Sequence, residues 1–293
     1  MTSPFNAALI SQQLVNALAL GSIYAMIAVG LAMIYGVMRV LHIAHAGVYT
    51  AGAYLGLYFY TLTGNLPIAV AAAMIAAGLI GALIERFIYR PMLSKPRIVA
   101  LIASIGLFIC MSDLFRIVGG PYQLAFDVHS LAGAVDVGGV TVSRIDALIA
   151  GGTVAIFIAL WFILQHTSLG FAIRATAQNI ETAQIMGIDT NRSVQSVFFI
   201  GSAIAAFGGI MVGILYDAVY TGMGDVVGYK GLALIVIGGF GSMTGAVLAA
   251  FLLGIAETVL TTYGDIPLSR DGMAMLMLVI LVLFRPQGLL GRG

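Results

Sequence analysis

The feature that most constrains this chain is the length of its apolar runs. Residues 9–35, 46–62, 67–87, 98–114, 145–164, 194–216 and 244–262 stay apolar for about the 20 residues that a helix needs to cross a bilayer's hydrocarbon. Lipid offers no water to satisfy backbone N–H and C=O groups, so such segments must close their hydrogen bonds internally, as helices. Two further runs, 231–240 and 272–284, are shorter and read as short, broken or re-entrant elements held by their neighbours. The expectation is an all-α, polytopic membrane helical bundle of nine segments, with eight as the alternative, forming a single transmembrane domain over 1–293.

Composition points the same way. The chain is 61% hydrophobic and 9% charged, against roughly 25% charged in an ordinary soluble domain, too little charge to cover a water-facing surface of this size. A net charge of +1 with no basic run excludes a nucleic-acid surface. The first 38 residues contain no Asp, Glu, Lys or Arg, so the positive region of a cleaved secretory signal is missing and the first apolar run is expected to remain. Cys110 is the sole cysteine, leaving no intrachain disulfide and no Cys-based metal site. Glycine is abundant, 37 of 293 residues. Close helix packing and broken helices are the usual reasons in a membrane.

If the N-terminus lies outside and every segment crosses, Arg39, Arg86, Arg90, Lys95, Arg97, Arg174, Arg192, Arg285 and Arg292 fall inside. Arg116, Arg144, Lys230 and Arg270 fall outside. That asymmetry obeys the positive-inside rule. Residues 168–193 are then cytoplasmic, and 119–143 form the main external loop. "GLAMI" at 30–34 and "GLALI" at 231–235 lie on segments of the same direction, a pattern that fits either an internal repeat or a chance match.

The insert 168–193 is polar, yet helical in composition. Most helix connections take about 2 to 8 residues, and this one is several times longer. Asn179 is placed to cap a helix over 180–186, and Gly187 to take the left-handed position that ends it, with Ile188 packing back. A preceding helix over 169–178, with Arg174 exposed, makes the pair a knuckle. It is either an ordered connector or a docking element for a partner.

His42 and His45 share a helix face but lack a third ligand, and read as the interfacial start of a helix; no metal site is expected. The segment "GGFGSMTG", 238–245, lacks the Gly-Lys-Ser/Thr ending of a phosphate loop and reads as a helix break. Gly239, Gly241, Ser242 and Thr244 are candidates there to line a translocation path. Glu257 sits deep within an apolar run, where an ionisable group is costly, and is a further path candidate. Glu85 and Arg86 read as anchors at a span end, Asp113 and Arg116 as a weak local pair. Tyr58, Tyr60, Tyr89 and Trp161 read as interfacial aromatics, and Gly47, Gly52, Gly56, Gly209 and Gly213 as packing positions.

Four stretches carry a resemblance: "AIRATAQNIETAQIMGID" (172–189), "GLAMIYGVMRVLHIAHAG" (30–47), "GGFGSMTGAVLAAFLLG" (238–254) and "FRPQGLLG" (284–291). Together they cover about a quarter of the chain, and they resemble permease subunits of ABC importers of the branched-chain amino acid type. The resemblance implies a coupling helix at 168–193 that seats in a groove of an ABC ATP-binding subunit. On that basis Arg174, Ala175, Gln178, Asn179, Ala183, Met186 and Gly187 are expected to face the ATPase. It further implies a second homologous permease subunit, an external solute-binding protein, a multi-pass location in the bacterial inner (plasma) membrane, and transport of branched-chain amino acids or a related small polar solute.

With no Walker-type sequence, this chain is expected to bind no cofactor, and ATP to be used by the partner. No catalytic set accompanies Glu257, so an intramembrane enzyme is disfavoured. The alternative is an ion-coupled secondary transporter or channel, for which the scarcity of midplane ionisable residues is the adverse feature.

Overall fold

The computed structural model describes residues 7–92, 95–131, 133–137, 139–263, 270–284 and 288–290. Among these, every apolar run named above is helical: α1 (Ala7–Met38), α2 (His45–Thr63), α3 (Leu66–Ile84), α4 (Arg97–Gly119) and α5 (Arg144–His166), then α8 (Thr190–Leu215), α9 (Met223–Gly238), α10 (Met243–Tyr263) and α11 (Arg270–Phe284). The polar insert forms α6 (Ser168–Gln178) and α7 (Ile180–Ile185). Among the described residues, six helices are long and apolar enough to cross a membrane: α1, α3 with its continuation to Met92, α4, α5, α8 and α10. α2 has 19 residues rich in Gly, Thr and Tyr. α9 and α11, at 16 and 15 residues, reach only about 22–24 Å at 1.5 Å per residue.

α9 begins at Met223, eight residues before the apolar run that announced it, because Lys230 and Asp225 interrupt the hydropathy without interrupting the helix. Local chemistry sets other boundaries. Asn65 caps α3 by accepting from the Ile68 N–H at 3.3 Å, and Gly64 ends α2 with φ +63°. Ser143 caps α5.

The most enclosed helices are α1 and α8. α1 is buried without interruption from Gly21 to Ile34. It packs on α8, α9 and α10, while α8 packs on α1, α2 and α3. Small residues permit the approach: a Cβ at Gly52 of α2 would collide with Ala206 of α8, and one at Gly56 would press into Ile210. Gly47 faces Met111, Gly209 the Tyr49 backbone and Gly213 Phe126, so these glycines are indeed packing positions. The outward faces of α3, α4 and α5 carry Ile75, Leu79, Ile102, Ile109, Val154 and Ile158 into the surroundings. In water each would forgo about 1.5–3 kcal/mol of burial. Facing lipid, they forgo none of it.

The end of the bundle holding α6 and α7 is called the inner end. At the outer end, residues 120–143 are not purely irregular. A short β-hairpin, β1 (Ala134–Val137) with β2 (Val140–Ser143), sits here as a small addition to the helical bundle. It is tied to α1 by Gln12, whose amide group donates to the Thr141 carbonyl and accepts from the Thr141 N–H at 2.9 and 2.8 Å. Leu124 and Val219 exchange backbone hydrogen bonds at 2.9 and 2.8 Å, fastening this loop to the α8–α9 connection.

Two anchors differ from expectation. Glu85 is buried and forks onto Arg90 at 3.1 and 2.8 Å across a π-helical turn (Glu85–Tyr89) rather than standing with Arg86 at a surface. Tyr89 is buried against His42 and Phe198, not displayed at an interface. The Asp113–Arg116 pair is exposed, at 3.9 Å.

Residues 288–290 return to the inner end. The Leu289 and Leu290 N–H groups donate to the Ile237 and Gly238 carbonyls at 2.8 and 3.1 Å, satisfying acceptors that the end of α9 leaves open. Gly288, at φ +77°, lies so close to Gly239 that a Cβ there would collide with its backbone. This accounts for part of the "FRPQGLLG" stretch; its residues 285–287 and 291 lie outside the described residues.

Candidate functional site

The insert is fixed at each joint. Thr167 caps α6, accepting from the Gly170 N–H at 3.0 Å and donating to the Ile163 carbonyl at 2.6 Å. Asn179 is extended (φ −157°, ψ 114°) and caps α7, accepting from the Thr182 N–H at 2.9 Å. Gly187 closes α7 at φ +82°; its N–H donates to Gln184 at 2.9 Å and the Ile188 N–H to Ala183 at 3.0 Å. This is the paired closure that a left-handed glycine allows. Asp189 then caps α8 through the Arg192 N–H at 3.1 Å. The caps expected at Asn179 and Gly187 are both present. The knuckle is a series of short rigid pieces joining α5 to α8.

Its surface departs from expectation in three places. Ala183 is only 4% exposed and is covered by its own chain, so it presents no face to a partner in this structure. Arg174 is half-buried rather than exposed, with its Nη1 enclosed. Ile185 went unnoticed, although it is the most prominent apolar side chain of the insert at 85% exposed, beside Met186 at 76%. A large apolar residue in the last turn of an otherwise polar insert was the signal available. Gln178, Asn179 and Gly187 are exposed, and Ala175 is half-exposed.

Behind the knuckle lies a cavity of about 710 Å³ at the inner end. It brings together Arg174 and Gln178 of α6, Tyr35 and Arg39 from the end of α1, Gly241 and Ser242 from the α9–α10 connection, and Thr244 from the first turn of α10. That connection is the helix break read from the sequence: Gly239 and Gly241 take φ +98° and +78°, and Ser242 caps α10 by accepting from the Gly245 N–H at 3.1 Å. Gly245 must lack a side chain because a Cβ would collide with the Gly238 carbonyl. Gly239 is buried behind the break and does not line the cavity. Arg39 and Arg174 make the cavity positive; among the described residues lining it there is no acid.

Glu257 lies elsewhere. It is 0% exposed and pairs with Lys230 of α9, Oε1 to Nζ at 2.8 Å. The Tyr24 hydroxyl of α1 donates to the other carboxylate oxygen at 2.7 Å and accepts from Lys230 at 2.7 Å. Lys230, 4% exposed, is therefore inside the bundle and not in an outer loop. The three side chains come from three helices, 27 to 233 residues apart. His42 and His45 are also buried, their rings 5.7 Å apart, with His42 Nδ1 2.6 Å from the Tyr89 hydroxyl.

Comparison with known proteins follows the fold closely. The profile described as "Branched-chain amino acid transport system / permease component" matches residues 13–284. The high-affinity branched-chain amino acid transport system permease protein BraD of Pseudomonas aeruginosa is 33% identical, covering 96% of this chain and 95% of that one. The corresponding protein LivH of Escherichia coli K12 is 31% identical with the same coverage. The ribose import permease protein RbsC of Escherichia coli is 25% identical over 68% of this chain and 63% of its own. Among solved structures, PsaBC from Streptococcus pneumoniae in complex with Fab shares the fold at a TM-score of 0.50 and 13% identity, over 92% of this chain and 89% of that one.

Proposed function

The chain belongs to the family of branched-chain amino acid transport system permease components, a multi-pass inner-membrane protein, and from that premise we propose how it works and with whom. It is the membrane subunit of an ATP-driven importer of branched-chain amino acids or a related small polar solute. A second permease of similar fold completes the path, an external binding protein delivers the cargo, and separate ATP-binding subunits dock on the knuckle. ATP is bound and hydrolysed there, and this chain has no catalytic role.

The observation that carries the reading is the continuity between knuckle and cavity. Ile185 and Met186 project from the inner end as an apolar prong, suited to a groove on a soluble partner. In the preceding helix of the same insert, Arg174 and Gln178 line the cavity together with Gly241, Ser242 and Thr244 at the helix break. Because Thr167 bonds both Ile163 of α5 and Gly170 of α6, and Gln184 of α7 donates to the Thr190 hydroxyl of α8 at 2.9 Å, a displacement of the prong is carried to both spans. Packed cores switch between discrete arrangements rather than deforming smoothly. Motion of α8 against α2 and α3 is thereby converted into opening or closure at the Gly239–Gly241 break.

The test is reconstitution. The chain is purified in mild detergent with its partner permease and ATP-binding subunits and placed in liposomes with the binding protein and labelled leucine. Uptake should require enclosed ATP, and Ile185→Asp with Met186→Asp should release the ATP-binding subunits. Uptake driven by an ion gradient without ATP would overturn the reading in favour of a secondary transporter.

A further inference from the structure

We propose that the buried Lys230–Glu257–Tyr24 cluster is a recognition site for the zwitterionic head of an α-amino acid, beside a cavity in the outer half of the bundle that Lys230 and Tyr24 line and onto which Glu257 opens when the pair exchanges partners. The proposal rests on the importer reading above and assigns its cargo contacts.

That cavity has a volume of about 420 Å³, within the size range of small-molecule sites. Its wall includes Lys230 and Tyr24, the rings of Tyr49, Tyr216 and Tyr220, and an apolar side formed by residues such as Ile23, Ile27 and Val227. A second cavity of about 450 Å³ meets it at Leu20 and Tyr216 and is lined by Gln13, Asn16, Asp146, Thr258 and Thr261. Thr258 adjoins Glu257 in sequence, and Thr261 donates to the Glu257 carbonyl at 2.7 Å. The ion pair thus touches the first cavity through its cation and neighbours the second through its anion.

Stability alone does not account for such a pair. A buried salt bridge is often no more stable than well-packed apolar residues of similar volume, and charges at this depth mark functional sites by default. The pair is electrically neutral but strongly dipolar, and a zwitterion is its mirror image. An incoming α-carboxylate accepts from Lys230 while the α-ammonium donates to Glu257, so one internal ion pair becomes two intermolecular contacts and no charge is left stranded in a low dielectric. Tyr24, bonded to both partners, holds them 2.8 Å apart until the exchange and bridges them afterwards. The aliphatic side chain rests on the apolar wall. A ligand lacking either charge opens the pair without completing it, leaving a buried ion unmatched.

The test reads occupancy separately from transport. In the assembled complex with Cys110→Ser, a reporter Val226→Cys on the cavity wall is labelled with a small thiol reagent. Leucine at tens of millimolar should slow labelling at least threefold, whereas leucinol, which lacks the carboxylate, and 4-methylpentanoate, which lacks the ammonium, should not. The double variant Lys230→Leu with Glu257→Leu removes both charges together, and its assembly is verified by co-elution of the subunits. It should abolish leucine protection and lower uptake at least tenfold. Protection by all three ligands alike, protection that persists in the double variant, or no protection in the parental complex overturns the proposal. Failure of the parental complex to take up leucine with ATP overturns the importer reading instead.

Discussion

Replacing Gly187 by valine is the sharpest perturbation of the knuckle. Gly187 holds φ +82°, and nothing lies within 4 Å of where a Cβ would stand, so an added side chain has room. The penalty is conformational alone: an L-residue in the left-handed region costs roughly 1–2 kcal/mol, with a β-branched one at the upper end. The alternative is to leave that region and break the Gly187–Gln184 and Ile188–Ala183 hydrogen bonds, at about 1 kcal/mol each. Either way the closed form of α7 loses about 1–2 kcal/mol, or a population factor of about 5–30. The ion pairs and packing that hold the spans are untouched, so assembly should persist. The assay is the ratio of leucine taken up to phosphate released in proteoliposomes. Gly187→Val should lower that ratio several-fold, and Gly187→Asn, which tolerates left-handed backbone, should lie near the parent. A parental ratio in the valine variant would refute the rigid-lever argument.

Three other substitutions probe separate joints. Asn179→Ala removes the cap of α7 and should destabilise that turn by about 1 kcal/mol, seen as faster amide hydrogen exchange at Thr182 with parental exchange in α8. Gly288→Ala forces the return strand off Gly239 and frees the Ile237 and Gly238 carbonyls, two hydrogen bonds worth about 1 kcal/mol each. Thermal unfolding in detergent should show a fall of several degrees. Arg90→Ala strands the buried Glu85 carboxylate and should lower the same midpoint clearly more than Arg86→Ala, which leaves that fork intact.

What the sequence disclosed was local. The caps at Asn179 and Gly187 need only residues within one helical turn, and the break at 238–245 announces itself by glycine alone. Each apolar run is helical among the described residues, six of them long and apolar enough to cross a bilayer, because a single segment in lipid can close its own backbone hydrogen bonds only as a helix. What stayed hidden depends on distant chain meeting in space. Lys230 broke an apolar run and so read as loop, since its partners Glu257 and Tyr24 lie 27 and 206 residues away. The resemblance implied Ala183 as a docking residue, yet its side chain is covered by its own chain. Tyr89 resembled an interfacial aromatic until His42 and Phe198 enclosed it. The glycine and leucines at 288–290 carried no signal that they would finish a helix ending at Gly238.

That last contact also dictates an order of events during biosynthesis. The carbonyls of Ile237 and Gly238 find their donors about 50 residues later in the chain, and at a ribosomal pace of about 5–20 residues per second that is a wait of several seconds. Throughout it, the inner tip of α9 must be tended by water or by the insertion machinery while α10 and α11 thread past. A nascent chain stalled within this interval carries two unfinished backbone acceptors at the inner tip of α9.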